Sequence, residues 1–278
     1  MRKRTLLVFV ALFFSSALMG QPLVSHFLEK PSEVSKGRPF KRIEEMSEVV
    51  IKGVSTIPHK VVKEFNAYGN ILSRISYNSA GGISNETHWE YVDGIRLKRK
   101  NFRFFANILG WKSEVIHIDW DEETKQPKKI RVVKNGKTWR TAIIQIDTLG
   151  KVESAKVLDS QGGHVFNENF IYLESSNMIK VMVSRSSGAF YGSWSYPFDP
   201  SKEFEFESVS RQYYPNGEVK LEFLSEDTKN KQAYYYEYKH DNQGNWIEKT
   251  TYQTKIGRKN KLRNKRMEHK VTRTITYQ

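Results

Sequence analysis

Two stretches placed twelve residues apart decide the fold: Phe65-Asn66-Ala67-Tyr68-Gly69-Asn70-Ile71 and Tyr77-Asn78-Ser79-Ala80-Gly81-Gly82-Ile83. In each of them an apolar or aromatic residue precedes an asparagine, and a glycine follows that asparagine after three positions. An asparagine side chain at the start of a turn accepts a backbone N–H two residues further on. Glycine adopts the left-handed backbone that closes a hairpin loop with a bulge. The pattern therefore predicts a tight turn between two antiparallel strands.

The same pattern recurs along the chain, and the residues between turns alternate in polarity. Further copies are Ile146–Val152, Leu158–His164, Tyr213–Val219 and His240–Trp246, and shorter Asp-Gly and Asn-Gly signals stand at 93–94 and 135–136. Between the first two turns, Ile71, Ser73, Ile75 and Tyr77 fall on one face of a strand. Short alternating strands separated by tight turns predict an all-β fold. We expect an antiparallel meander of hairpin repeats, either an open sheet or a partial barrel.

Two of these copies also resemble known repeats. Tyr77-Asn78-x-x-Gly81 and Asp241-x-x-Gly244-Asn245-Trp246 are similar to the YD/RHS-type and MORN-like hairpin repeats of exported bacterial proteins. The closing stretch, from Gly244 to Tyr277, resembles the last hairpin of envelope proteins of the Bacteroidota type. The resemblance implies an architecture and an exported location, and it implies no particular activity.

The first twenty residues read as a secretory signal peptide. Arg2, Lys3 and Arg4 precede an apolar run from Thr5 to Met19, and Gly20 offers a small residue for cleavage. The run is shorter than the roughly 20 residues that span a bilayer. An uncleaved N-terminal anchor is the alternative. We expect cleavage after Gly20 and a location in the periplasm, at the cell surface or outside the cell.

The rest of the chain divides by composition into two parts. Residues 21–60 hold four of the eight prolines and predict an extended lead-in, in which 43–53 is either a short helix or the first strand. Residues 61–278 are expected to form the hairpin-repeat domain. With no cysteine in 278 residues, the sequence excludes a disulfide scaffold, a zinc ribbon and a thiol nucleophile.

A basic stretch near the C-terminus is the sharpest charge feature. The chain carries 45 Lys and Arg against 31 Asp and Glu, and signal cleavage lowers its net charge from +14 to +11. We expect the stretch to form the long loop and edges of a final hairpin. It is a solvated loop, or it binds an anionic glycan, a lipid headgroup or an envelope protein. Nucleic acid is disfavoured as a partner because an exported protein meets little of it. The predicted binding cations are Lys259, Lys261, Arg263, Lys265 and Arg266.

Aromatic residues form the second candidate surface. The sequence contains 6 Trp, 14 Tyr and 16 Phe, and Tyr234-Tyr235-Tyr236-Glu237-Tyr238 places rings on both faces of one strand. Such rings serve as core and cross-strand ladders, or they form an exposed strip that stacks on sugar rings. The aromatic residues predicted to bind are Trp194, Tyr234, Tyr236 and Trp246.

Catalytic signals are weak. Asp119-Trp120-Asp121-Glu122-Glu123 is the densest acidic cluster, and it lacks the glycine and the distal glutamate of a calcium loop. A solvated turn is one interpretation, and a metal site or a hydrolase using Asp119, Asp121 or Glu122 is the other. The seven histidines show no ligand spacing, and no phosphate-binding loop is present. We therefore expect no cofactor and no catalytic residue.

Taken together, these features predict an exported, non-enzymatic β-repeat protein that acts as a binding or structural module of the bacterial cell envelope. Two alternatives stay open. One is a periplasmic carrier or chaperone for a lipid or envelope component, with the sheet curled around an apolar cavity. The other is the carboxylate-dependent hydrolase.

Overall fold

The computed structural model is an all-β protein. It describes residues 22–24, 33, 35–51, 54–55, 58–198, 211–224, 232–257 and 261–278. The predicted signal peptide, residues 1–20, lies outside this part of the chain. The strands are β1 (Phe40–Ile51), β2 (Val54–Ser55), β3 (His59–Phe65), β4 (Ile71–Tyr77), β5 (Ile83–Val92), β6 (Arg96–Ala106), β7 (Gly110–Trp120), β8 (Pro127–Lys134), β9 (Lys137–Ile146), β10 (Val152–Asp159), β11 (His164–Leu173), β12 (Met178–Arg185), β13 (Phe190–Pro197), β14 (Arg211–Tyr213), β15 (Val219–Phe223), β16 (Gln232–His240), β17 (Trp246–Ile256) and β18 (Leu262–Tyr277).

The described helices are two single 3₁₀ turns, Asn107–Leu109 and Glu174–Ser176. No helix within the described ranges is long and apolar enough to cross a bilayer. The chain divides into two compact units. Unit 1 comprises Met1–Lys30 and Val115–Lys202, and unit 2 comprises Pro31–Glu114 and Glu203–Gln278.

Unit 1 is a simple meander. Strands β8 to β13 pair in chain order, and every pairing is antiparallel. Inward-facing residues of these strands, such as Ile130, Val132 and Val181, are fully buried. The short segment Pro22–Val24 is buried as well, and the backbone N–H groups of Leu23 and Val24 donate to the carboxylate of Glu168 at 2.7 and 3.1 Å. The sequence places this segment in the extended lead-in.

Unit 2 joins the two ends of the chain in one sheet. Its pairing order is β6-β5-β4-β3-β1-β18-β17-β16-β15-β14, antiparallel throughout. Strand β1 is paired on both sides, with β3 and with β18. Of the two interpretations of 43–53, the strand is therefore confirmed, and it already begins at Phe40. Its apolar residues explain this, since Phe40 and Ile43 pack with Phe65 and Ile71 in a buried cluster.

The turns confirm the predicted hairpin chemistry. At the first of them, the N–H of Gly69 donates to the carbonyl of Asn66 at 3.0 Å, and the Asn66 side-chain oxygen accepts the N–H groups of Tyr68 and Asn70, both at 3.0 Å. The same side-chain bonds recur at Asn78, Asp147, Asp159 and Asp241. The closing glycines have φ between 80° and 86°. The antiparallel meander of hairpin repeats is thus confirmed.

The basic C-terminal stretch corrects one expectation. The basic run from Lys255 to Arg273 is expected to form the long loop and edges of a final hairpin, but from Leu262 onward it belongs to the sixteen-residue strand β18, which pairs with β17 and β1. The extended conformation is favoured because ion pairs with acidic residues compensate the charge of the cations. Lys265 pairs with Glu237 at 2.6 Å, and Arg266 pairs with Glu268 at 2.5 Å.

Candidate functional site

A groove of about 740 Å³ lies in unit 2, where the turn between β14 and β15 meets β16 and β17. It is large enough for a ligand of several rings. Aromatic, acidic and basic side chains share its wall. The lining residues are Tyr214, Pro215, Asn216, Glu218, Glu237, Tyr238, Lys239, His240, Glu248, Thr250 and Tyr252.

Hydrogen bonds to the backbone fix two of the groove's tyrosine rings. The hydroxyl of Tyr214 donates to the carbonyl of Tyr236 at 2.9 Å. The hydroxyl of Tyr238 donates to the carbonyl of Val219 at 3.1 Å. The rings of Tyr214 and Tyr238 meet edge to face, with 6.2 Å between their centroids. Two rigid aromatic surfaces are therefore in place without any ligand, which lowers the entropic cost of binding.

Each of the three glutamates of the groove is paired with a cation. Glu218 lies 2.9 Å from His240 Nε2 and 3.3 Å from Lys36 Nζ. Glu248 lies 2.9 Å from Lys239 and 3.0 Å from Lys270. Glu237 has the Lys265 partner described above. A carboxylate that is already neutralised in this way keeps free lone pairs, and it can accept hydrogen bonds from a neutral ligand.

These contacts also set the protonation states. The hydrogen bond from Lys265 lowers the pKa of Glu237, and the one from Lys239 lowers the pKa of Glu248. Burial acts to raise the pKa of Glu218. The hydrogen bond and charge of His240 and the charge of Lys36 outweigh burial, so the pKa of Glu218 is lowered. Burial raises the pKa of Tyr238. At neutral pH the groove therefore presents ionised acceptors and neutral phenols.

Lys265 and Arg266, two of the predicted cations, come together beside the groove. They line a second hollow of about 400 Å³ with Gln232, Gln253, Thr254, Lys255 and Asn264. Lys265 Nζ lies 4.1 Å from the centroid of the Tyr252 ring and 4.6 Å from that of Tyr235. Lys265 thus contacts two residues that line the groove, Tyr252 and Glu237.

The remaining predicted cations are dispersed. Lys261 is exposed just before β18, and Arg263 is exposed at the second position of that strand. Lys259 lies outside the described residues. Of the four described cations, Lys261 precedes β18, and Arg263, Lys265 and Arg266 lie in that strand.

Three of the aromatic residues predicted to bind lie in unit 2 but do not line the groove. Tyr236 packs against Lys249, whose Nζ lies 4.5 Å from the ring centroid, and burial raises the pKa of Tyr236 to about 12. The guanidinium of Arg273 lies 3.4 Å from the centroid of the Trp246 ring. Tyr234 pairs across the strands with Glu222 and Gln253. These rings have structural partners.

Trp194 belongs to unit 1. It lies in β13 opposite Val181, and its ring stacks on that of Tyr191 with 6.4 Å between centroids. Tyr191 is 41% exposed. The two rings form a small aromatic surface that is separate from the groove residues in sequence and in unit.

The acidic cluster at 119–123 is a turn. The side chain of Asp121 accepts the N–H groups of Glu123 and Thr124 at 3.0 and 2.8 Å and pairs with Lys128. The hydrogen bond from Lys128 is the main reason that the pKa of Asp121 is lowered well below its usual range. Asp119 and Glu122 are exposed. In the described part of the chain, no three Asp, Glu or His side chains gather as a metal site.

None of the nine residues predicted to bind is among the described residues that line the groove itself. Glu237 and Tyr238, which do line it, belong to the tyrosine-rich segment 234–238, and the sequence predicts only a turn at Tyr213–Val219. The available signal is the pair of tyrosine-rich segments about twenty residues apart, which two successive hairpins place on either side of β15.

Comparisons with known proteins add an architectural likeness. No family model and no curated protein matches the chain. Similar solved structures include a porin-like protein from Bacteroides uniformis, with a TM-score of 0.39 and 14% identity over 88% of this chain and 100% of that one. They also include the Tc holotoxin pore of Photorhabdus luminescens, with a TM-score of 0.29 and 10% identity over 82% of this chain and 16% of that one. At these values the likeness says nothing about what this chain does.

Proposed function

We propose that the chain is an exported, non-enzymatic binding module of the cell envelope, and that it holds a polysaccharide in the groove between β14 and β17. The observation that carries the proposal is the lining: tyrosine rings alternate with glutamates whose charges are already compensated. The basic signal-like start of the sequence supports the exported location.

Sugar rings match this lining in two respects. The C–H groups on one face of a pyranose are slightly positive and pack against the electron-rich face of a tyrosine. The hydroxyl groups at its rim donate to carboxylates such as Glu237 and Glu248, and they can also donate to the lone pairs of the tyrosine hydroxyls, whose own protons are already used. A single ring gains little, so a chain of several sugars that spans the groove is the ligand that we propose.

The two other functions considered fit the groove less well. A lipid tail would have to bury carboxylates and ammonium groups of the lining without replacing their water, which is costly. A hydrolase would need an acid and a base at different pKa values, whereas Glu218, Glu237 and Glu248 all have lowered pKa values. A binding role uses the carboxylates as they are.

The test is a binding titration with the mature chain, residues 21–278, against a neutral β-glucan, a mannan and an alginate. We expect at least one polysaccharide to bind, and Tyr252→Ala to weaken that binding about tenfold, the loss of one buried aromatic contact of ~1.4 kcal/mol. Tyr252→Phe keeps the ring and should retain most of the affinity.

Tyr191→Ala is the matched control, because it removes a partly exposed, stacked tyrosine from unit 1. Its affinity should equal that of the wild type. Unchanged affinity in Tyr252→Ala, with an intact sheet by circular dichroism, would remove the groove as the site. Failure of all three polysaccharides to bind would refute the proposal.

A further inference from the structure

The strand ends on one side of the unit 2 sheet differ in chemistry from those on the other side. We call each row of strand ends an edge. Because neighbouring strands are antiparallel, the C-terminal ends of β1, β4, β6 and β17 and the N-terminal ends of β3, β5 and β18 meet at the same edge. We call it the tip edge. The turns 66–70, 93–94, 214–218 and 241–245 lie at the opposite edge, which also holds the groove.

The connection between β6 and β7 forms an apolar finger at the tip edge. We define the finger as Phe105–Trp111. Ile108 is 100% exposed and Leu109 is 69% exposed, while Phe105 and Trp111 are each nearly half exposed. The rings of Phe105 and Trp111 brace the finger edge to face at 5.7 Å. The other turns reverse the chain with Asn, Asp and Gly, so chain reversal alone does not require Ile and Leu here.

The described charged residues at the named ends of β1, β3–β6, β17 and β18 are basic, although Lys60 pairs with Glu44 and Arg103 pairs with Glu86. The described residues at or beyond these strand ends are 50–51, 54–55, 58–60, 78–83, 106–112, 255–257 and 261–263, and they include no Asp or Glu. They do include five cations: Lys60, Lys112, Lys255, Lys261 and Arg263. Arg103 adds a guanidinium 4.9 Å from the Trp111 ring centroid. At the opposite edge, by contrast, the turns carry Asp93, Glu218 and Asp241.

We propose that the tip edge docks on a membrane with anionic lipids, and that the apolar finger inserts into the headgroup layer. A tryptophan and a phenylalanine beside fully exposed aliphatic side chains, bordered by lysine and arginine, is the composition that binds at a membrane–water interface. The cations add attraction to an anionic surface. The groove then opens at the edge that points away from the membrane.

The test exploits the absence of cysteine from the chain. An environment-sensitive fluorophore is attached to Ile108→Cys in the mature protein, and Ile95→Cys is the matched control, since Ile95 is 60% exposed at the opposite edge. The vesicles are phosphatidylcholine with phosphatidylglycerol at about two to one, or phosphatidylcholine alone. We expect a blue-shifted, brighter emission at position 108 on the anionic vesicles and none at position 95.

Co-sedimentation supplies the second readout. The double variant I108S/L109S should bind the anionic vesicles at least ~10-fold more weakly than wild type, and I95S should bind equally well. Wild type that does not sediment with anionic vesicles overturns the proposal. So does a label at 108 that stays in water while the protein is bound, or a dimer that I108S/L109S dissociates. These outcomes do not depend on polysaccharide binding.

Discussion

Glu168 makes the stability of unit 1 depend on pH near neutrality. Its side chain lies in β11 and only 2% of the residue is exposed. Burial raises its pKa from 4.5 to about 7, although the two N–H donors of Leu23 and Val24 and the charge of Arg140 act in the opposite direction. Desolvation therefore exceeds the hydrogen bonds at this site.

The sign of the effect follows from the two pKa values. In the unfolded chain Glu168 ionises near pH 4.5, while in the folded protein it ionises near pH 7. The folded state thus holds the proton more tightly, and its advantage is complete below pH 4.5 and is lost as the pH rises through 7. The difference corresponds to about 3 kcal/mol of unfolding free energy. Between pH 5 and pH 8 about 2.5 kcal/mol of it is lost, so with a urea m-value of about 2 kcal/mol/M the midpoint should fall by roughly 1.3 M.

The assay must report on unit 1 alone. In unit 2, burial and the charge of Lys249 lower the pKa of His269. The contribution of His269 therefore makes the free energy of unfolding rise with pH, opposite to that of Glu168. Hydrogen exchange of peptides from β11 across a urea series meets this need. Glu168→Gln does not titrate, so its midpoint should be the same at pH 5 and pH 8 even where its absolute stability is lower. A Glu168→Gln midpoint that falls as steeply as that of wild type would refute the reasoning.

Two further predictions concern unit 2. Gly69→Ala should lower the free energy of unfolding by about 1–2 kcal/mol. Gly69 has φ of 80° and no atom lies within 4 Å of an added Cβ, so backbone strain is the whole effect. Thermal unfolding should show a lower Tm for this variant, while Ser79→Ala in the next turn should leave the Tm unchanged. The second change replaces all five predicted binding cations with glutamine: Lys259, Lys261, Arg263, Lys265 and Arg266. This variant should bind alginate more weakly and with a smaller dependence on salt. Circular dichroism checks that the sheet is intact, and an unchanged affinity would show that the cations are only solvated surface.

The turns were predictable from sequence because their energetics are local. Asn66 and Gly69 belong to the same loop, and the bonds that hold it join residues within four positions. The same holds for the Asx turns at Asp147 and Asp159. Such contacts leave their full signature in a seven-residue window.

The contact of Lys265 with the groove residue Tyr252 was not predictable, because the register of β18 against β17 depends on irregularities. Strand β18 shifts against β17 between Thr251 and Tyr252, and again between Gln253 and Lys255. These shifts bring Lys265 against the Tyr252 ring. At the second shift Asn264 takes up the left-handed backbone, with φ of 53°. The basic composition of 255–273 suggested a loop for a related reason, since the acidic partners that permit a strand, Glu237 and Glu248, lie in other strands.

The pairing of β1 with β18 decides how unit 2 can form. Phe40 pairs with Tyr277, and the Arg273 guanidinium lies 2.6 Å from Glu45, so the centre of the sheet joins residues more than two hundred positions apart. Local hairpins can close early, but the part of the sheet between β3 and β17 is complete only when β18 pairs with β1. Until then Ile43 and Phe40 have one open side. The pairing of β1 with β18 therefore completes the centre of the unit 2 sheet only after its local hairpins have formed.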